Sequence, residues 1–146
     1  MPSTNRVEVT LESTLESVDR AEELAQEFAR SNGFPEEDQF KIGMAVRESM
    51  VNAVHHGNRY DPQKRAGLRL EIQGRELVVT ITDQGSGFDL SSVPNPLTEG
   101  NLLKQSGRGI FLIRNFMDEI HVRRLSPRGT EVRMIKYPSP SNGKEE

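Results

Sequence analysis

The sequence has no cysteine and no tryptophan, and only two tyrosines and six phenylalanines among 146 residues. Without cysteine there is no disulfide, thiolate zinc site or thiol nucleophile, and a reducing cytosol is the expected compartment. Long apolar runs are missing too. The longest, such as residues 110–113, fall far short of the roughly 20 residues that span a bilayer. Met1-Pro2-Ser3-Thr4-Asn5 lacks the basic-then-apolar pattern of a signal peptide. Nor does one charge dominate. Nineteen basic and 22 acidic side chains leave a formal charge of −3, dispersed along the chain, which argues against direct nucleic-acid or membrane binding. The apolar fraction of 34% is lean for a globular protein, and the length suits one domain. Any chemistry must come from Asp, Glu, Asn, His, Ser, Thr or a bound ligand.

The patterning that is present predicts a definite element order. Val7, Val9 and Leu11 alternate with polar residues and predict an opening strand. Residues 13–30 carry a helical stripe of Val18, Ala21, Leu24, Ala25 and Phe28, which Ser31-Asn32-Gly33 stops. Pro35, followed by Glu36, Glu37 and Asp38, predicts a helix start, because proline fits the first turn and acids suit the positive dipole end. That helix is expected to run to His56, with Gly57-Asn58 ending it. Leu68, Leu70 and Ile72 alternate, and 73–76 can turn into a second strand over 77–82. An irregular stretch, 84–106, precedes a helix over 109–117 and strands over 120–124 and 130–135. The tail, 138–146, is low in complexity and expected to be disordered. The order βααββ-loop-αββ implies an α+β domain, a two-layer sandwich with a mostly antiparallel sheet and helices on one face.

Some polar residues fall where apolar ones belong. The second helix is apolar around most of its circumference, with Phe40, Ile42, Met44, Ala45, Val46, Met50, Val51, Ala53 and Val54, and so is expected to be buried. Glu48 and Asn52 interrupt it four residues apart, about 40° from each other around the axis. A buried carboxylate needs a partner, a cavity or a metal-bound ligand. Glu48 is therefore either a structural group satisfied by Arg47 or the backbone, or a functional one. Asp83 shares a strand face with Leu77, Val79 and Ile81 and leads into Gly85-Ser86-Gly87; it either opens a turn or faces a ligand. Thr130 likewise shares a face with Val132 and Met134. Gly107-Arg108-Gly109 precedes an apolar helix, where backbone N–H groups and the dipole favour an anion. It is neither a Walker A loop nor a dinucleotide fingerprint.

Glu48-Ser49-Met50-Val51-Asn52-Ala53-Val54-His55-His56-Gly57, Asp83-Gln84-Gly85-Ser86-Gly87, Gly107-Arg108-Gly109 and Gly129-Thr130 resemble, in order, the four nucleotide-binding boxes of the GHKL (histidine kinase-like) ATPase superfamily. Within it the chain most resembles the bacterial anti-sigma factor serine kinases. The likeness runs from the first strand to about Tyr137 and includes Asn115-Phe116-Met117-Asp118. It implies a Bergerat-type ATPase domain over 1–137. It also implies Asn52 as the ligand of an ATP-bridging Mg²⁺ and Glu48 as general base toward a serine hydroxyl, with a pKa raised by burial. Asp83, assisted by Thr130, would accept from the adenine amino group, with Gly85 and Gly87 allowing close approach. Ser106, Gly107, Arg108, Gly109 and Ile110 would close over the phosphates, and 89–105 would form a mobile ATP lid.

On the first helix, Glu16 and Arg20 match positions that in this family face the sigma factor and the anti-anti-sigma (STAS-type) antagonist; alternatively they are a solvated i,i+4 pair. His55 and His56 are expected to be structural or pocket-lining, with His56 among the ATP-contacting residues, and His121 a strand residue. Family members commonly dimerise through the sheet. The lid carries Thr98-Glu99-Gly100-Asn101 in place of the Thr-Thr-Lys-type stretch of sporulation members, and Arg47 precedes Glu48 where a small residue is common. The implied activity is partner switching: an ATP-Mg²⁺ kinase that sequesters a sigma factor and phosphorylates its antagonist. The competing reading is an ATP-dependent binding module without phosphoryl transfer. A sensor histidine kinase fragment would need a dimerisation helix with a phospho-acceptor histidine, and topoisomerase- or chaperone-like ATPases a transducer domain.

Overall fold

A computed structural model describes residues 5–85 and 113–138. The chain runs through β1 (Arg6–Glu12), α1 (Leu15–Ser31), α2 (Glu36–Val51), a π-helical turn (Asn52–Gly57), β2 (Arg65–Gln73), β3 (Glu76–Thr82), β4 (Glu119–Arg124) and β5 (Thr130–Lys136). Residues 113–116 are helical as well. The strands form one sheet in the order β1-β2-β3-β5-β4, and each pairing is antiparallel.

Register explains the layers. Val7 opposes Leu70 and Val9 opposes Leu68; Leu68 opposes Ile81 and Leu70 opposes Val79; Val79 opposes Met134. These rows join Val18, Ala25, Phe28, Ile42, Val46 and Met50 of the helices in one core. Each large apolar side chain so buried contributes roughly 1.5–3 kcal/mol. The other face presents the row Glu8, Arg69, Thr80, Arg133 and His121, and among the described residues α1 and α2 pack on the first face. The α+β two-layer expectation holds.

The helix ends follow local chemistry. Thr14 caps α1 by accepting the Ser17 N–H at 3.2 Å. At its other end Gly33 takes φ +85°, Gly33 N–H donates to Arg30 O and Phe34 N–H to Ala29 O. That is a Schellman closure, with Phe34 buried beneath it. Pro35 occupies the cap of α2 in an extended conformation, and the first-turn acids follow it. One of them behaves unexpectedly. Asp38 is fully buried and lies 3.8 Å from the buried Lys136 ammonium, which also reaches Asp118 at 3.4 Å.

Phe40 departs from the expected burial of α2: it is 55% exposed and meets Phe116 edge-on, centroids 6.3 Å apart. The expectations for a lid over 89–105 and, apart from Pro138, a disordered tail over 138–146 lie outside the described residues.

Candidate active site

The strand parity that set Asp83 among apolar residues is realised in the fold. Asp83 follows β3 on its helix-facing side and is buried. Its N–H donates to Thr130 O at 3.0 Å, and its Oδ1 accepts the Gly85 N–H at 3.0 Å. Burial raises the Asp83 carboxyl above its ordinary pKa, against the opposing pull of the Gly85 and Thr130 backbone bonds and the Lys64 charge. Thr130, buried at the start of β5, flanks it. The π-helical turn closes on this carboxylate so tightly that a Cβ on Gly57 would lie 2.5 Å from Asp83 Oδ2. A Cβ on Gly85 would lie 1.9 Å from Gly57 O. Both positions require glycine for approach rather than for backbone angle.

Asn58 holds the three strand ends around this pocket. It has no exposed surface. Its Nδ2 donates to Ser13 Oγ at 2.9 Å and to Arg65 O at 3.0 Å, and its Oδ1 accepts the Gln84 N–H at 2.8 Å. Ser13 Oγ in turn donates to Lys64 O at 2.7 Å. Every polar group of the Asn58 side chain thus has a partner, as a fully buried amide requires.

Glu48, Asn52 and His56 follow one another at four-residue intervals along α2 and its π-helical continuation. The row ends beside Gly57, and therefore beside Asp83. Glu48 and Asn52 are half-buried, and neither makes a hydrogen bond or ion pair among the described residues. The expectation that Glu48 is buried is corrected here: its side chain is only partly removed from water. The pairing of Arg47 with Glu48 is corrected too. Arg47 Nη1 points to α1, reaching Asp19 Oδ1 at 2.9 Å and Glu22 Oε1 at 2.5 Å, and leaves Glu48 to the site.

The remaining residues divide clearly. Burial and the neighbouring His55 ring lower the His56 pKa, which favours the neutral imidazole. His121 is an exposed strand residue 2.9 Å from Glu119, as expected. Glu16 and Arg20 are exposed on α1, away from the Asp83 pocket in sequence and element, and no ion pair joins them among the described residues. Gly87, Ser106, Gly107, Arg108, Gly109 and Ile110 lie outside the described residues. Sequence reasoning missed Asn58 and Ser13, treating the first as a helix stop and the second as helical. It also missed the buried Lys136. A signal existed for Lys136, which shares strand parity with Met134 and Val132, but none for Ser13.

What the pocket can do is bounded by its donors. The buried Asp83 carboxylate accepts N–H, and the Asn52 amide and Glu48 carboxylate stand on the helix whose end, Gly57, abuts it. Among the described residues no group of three His, Cys, Asp or Glu side chains gathers to hold a metal by itself. No helix among them is long and apolar enough to cross a membrane.

Comparison with known proteins agrees with this geometry. The histidine kinase-like ATPase domain family matches residues 11–136. The chain is 34% identical over 103 residues to an anti-sigma F factor of Oceanobacillus iheyensis, covering 69% of this chain and 70% of the relative. It is 33% identical over 99 residues to that of Anoxybacillus flavithermus, covering 66% and 68%, and 32% identical over 108 residues to that of Bacillus cytotoxicus, covering 73% and 74%. A crystal structure of the RsbU and RsbW domains of a Mycobacterium tuberculosis protein superposes with a TM-score of 0.64 at 18% identity. The match covers 92% of this chain and 33% of that one, so the chain spans a third of that protein's length and shares its fold.

Proposed function

The chain belongs to the histidine kinase-like ATPase domain family, and we propose that it is an ATP-Mg²⁺-dependent anti-sigma factor and protein serine kinase working by partner switching. One observation carries the reading. The helix bearing Glu48 and Asn52 runs without a break into Gly57, which abuts the buried Asp83 carboxylate. The helix that carries groups suited to phosphate chemistry thus meets, at Gly57, the carboxylate suited to base recognition at the end of β3. The relatives named anti-sigma F factor, matched over most of their length, support a sigma factor as the sequestered partner.

In this reading Asp83 accepts from the adenine amino group, and the glycines at 57 and 85 let the helix end and the β3 end close around that carboxylate. The residues present fit a magnesium ion: the Asn52 amide oxygen is a hard donor, uncommitted among the described residues, and phosphate and water oxygens would complete an octahedral shell. When bound, the ion supplies charge neutralisation at the phosphates. Glu48 takes the proton of the attacking serine hydroxyl on the antagonist as that oxygen bonds to the γ-phosphorus and the bond to ADP breaks. Glu16 and Arg20, on the exposed face of α1, contribute to the surface that meets sigma factor and antagonist.

The test is phosphoryl transfer from labelled ATP to a STAS-type anti-anti-sigma protein from the same organism. Wild type is expected to form phosphoserine. Glu48→Ala should keep ATP binding and lose transfer, and Asn52→Ala should lose Mg²⁺-ATP binding. Transfer at near wild-type rate by Glu48→Ala would remove Glu48 as the base. No phosphoserine from wild type, with partner binding intact, would establish the ATP-dependent binding module instead.

A further inference from the structure

Between α2 and β2 the backbone departs from regular geometry twice in succession. Residues Asn52–Gly57 widen into a π-helix, a rare register associated with functional sites. Directly afterwards Arg59 and Tyr60 both take left-handed angles, φ 53° and 58°. For a bulky aromatic residue that conformation is an outlier, and such departures persist only where the surroundings hold them. Here the Asn58 N–H donates to Ala53 O at 2.8 Å and the Tyr60 N–H to Val54 O at 2.9 Å. The chain is thereby doubled back over the end of its own helix.

The two departures together produce a stack of three rings. His55 lies on His56 with centroids 4.4 Å apart and planes 20° apart, and Tyr60 lies on His55 at 5.2 Å and 25°. The stack adds little to the core: His55 is exposed and Tyr60 is 43% exposed. Its inner member is different. His56 is half-buried, four residues beyond Asn52 and adjacent to Gly57, and the rings border a cleft of about 460 Å³. His55 stacks with both other rings, so Tyr60 backs the ring that lies on His56.

We propose that His55 and Tyr60 are positioning residues for the nucleotide: their stack fixes the plane of the His56 imidazole, which stands on the same π-helical turn as Asn52 and Gly57. The inference rests on the nucleotide-site reading given above. Burial and the His55 neighbour lower the His56 pKa, and in its neutral form His56 presents one ring N–H donor and one acceptor nitrogen. Fixed in one plane, that donor serves a ribose or phosphate oxygen of the nucleotide without the entropy of ordering a free ring.

The experiment is a titration of the full chain with a fluorescent ATP analogue in Mg²⁺, with urea denaturation run alongside as a folding check. Tyr60→Leu is expected to weaken the analogue roughly fivefold, by removing ring stacking, and Tyr60→Phe to keep wild-type affinity. In a His56→Ala background, Tyr60→Leu should cause no further loss, which a merely structural role for Tyr60 would not produce. Unchanged affinity in Tyr60→Leu, or the same loss with and without His56, would overturn the proposal. Failure of the wild-type chain to bind the analogue would instead remove the nucleotide reading beneath it.

Discussion

Replacing Gly85 with alanine tests whether the π-helical turn and the end of β3 shape the pocket together. The new Cβ would sit 1.9 Å from Gly57 O and 2.4 Å from Gly57 C, both backbone atoms that cannot rotate away. Ordinary contact begins at 3.4 Å, so one backbone must retreat by about 1.5 Å in an otherwise close-packed region. Gly85 N–H holds the Asp83 carboxylate, and that retreat moves the carboxylate with it. Overpacking of this kind costs about 1–3 kcal/mol of stability. A displacement near 1 Å in a binding constellation costs on the order of a hundredfold, so nucleotide affinity should fall by roughly ten- to a hundredfold. The assay is the same analogue titration, with urea midpoints measured on each variant. Gly74→Ala is the control: it has φ +65° and nothing within 4 Å of a new Cβ. It should lose about 1 kcal/mol of stability to backbone strain alone and bind as wild type does. Gly85→Ala with unchanged affinity and midpoint would refute the reasoning, and equal affinity losses in both variants would assign the effect to stability rather than to the pocket.

Two further predictions concern buried charge. Because burial raises the Asp83 pKa above its ordinary 3.8, the folded state binds this proton more tightly than the unfolded one, and the stability linked to it is present at low pH and lost as pH rises through the raised value. Asp83→Asn should therefore gain stability relative to wild type as pH rises from the ordinary aspartate range to neutrality, while binding nucleotide more weakly; a pH series of urea midpoints showing a constant difference would contradict this. Lys136→Met removes the cation between Asp38 and Asp118 and should cost about 3 kcal/mol, the usual penalty for breaking a buried pair from one side. Adding Asp38→Asn should recover part of that loss in denaturation experiments.

Much of this fold was legible because its signals are local. The alternation in β1, β2 and β3, the Gly33 helix end and the acidic start of α2 each depend on a few neighbouring residues. Asp83 was legible as a candidate through strand parity with Leu77, Val79 and Ile81, and its Oδ1 also makes the turn-opening bond to Gly85 N–H that the sequence equally allowed. The Glu48–Asn52 spacing was equally readable, but the degree of Glu48 burial was not. That depends on how α2 rotates against the sheet, and with so many apolar residues around it the sequence leaves the rotation open. The partners of Arg47 are 25 and 28 residues away on another helix, beyond any local pattern. The π-helical register escaped for a further reason. A continuous helix to His56 and a widened one have the same composition and differ in which residue ends up against Asp83.

Asn58 has a thermodynamic consequence. Its side chain takes one partner beside β1, one at the start of β2 and one just after β3, while its own N–H belongs to the π-helical turn. If any of these ends loosens alone, a polar group without exposed surface is left unpaired, at a cost of about 1–3 kcal/mol. Opening them all together lets water reach the amide and removes that penalty. The floor of the pocket therefore opens as one cooperative unit, and partial fraying at a single strand end is the disfavoured course.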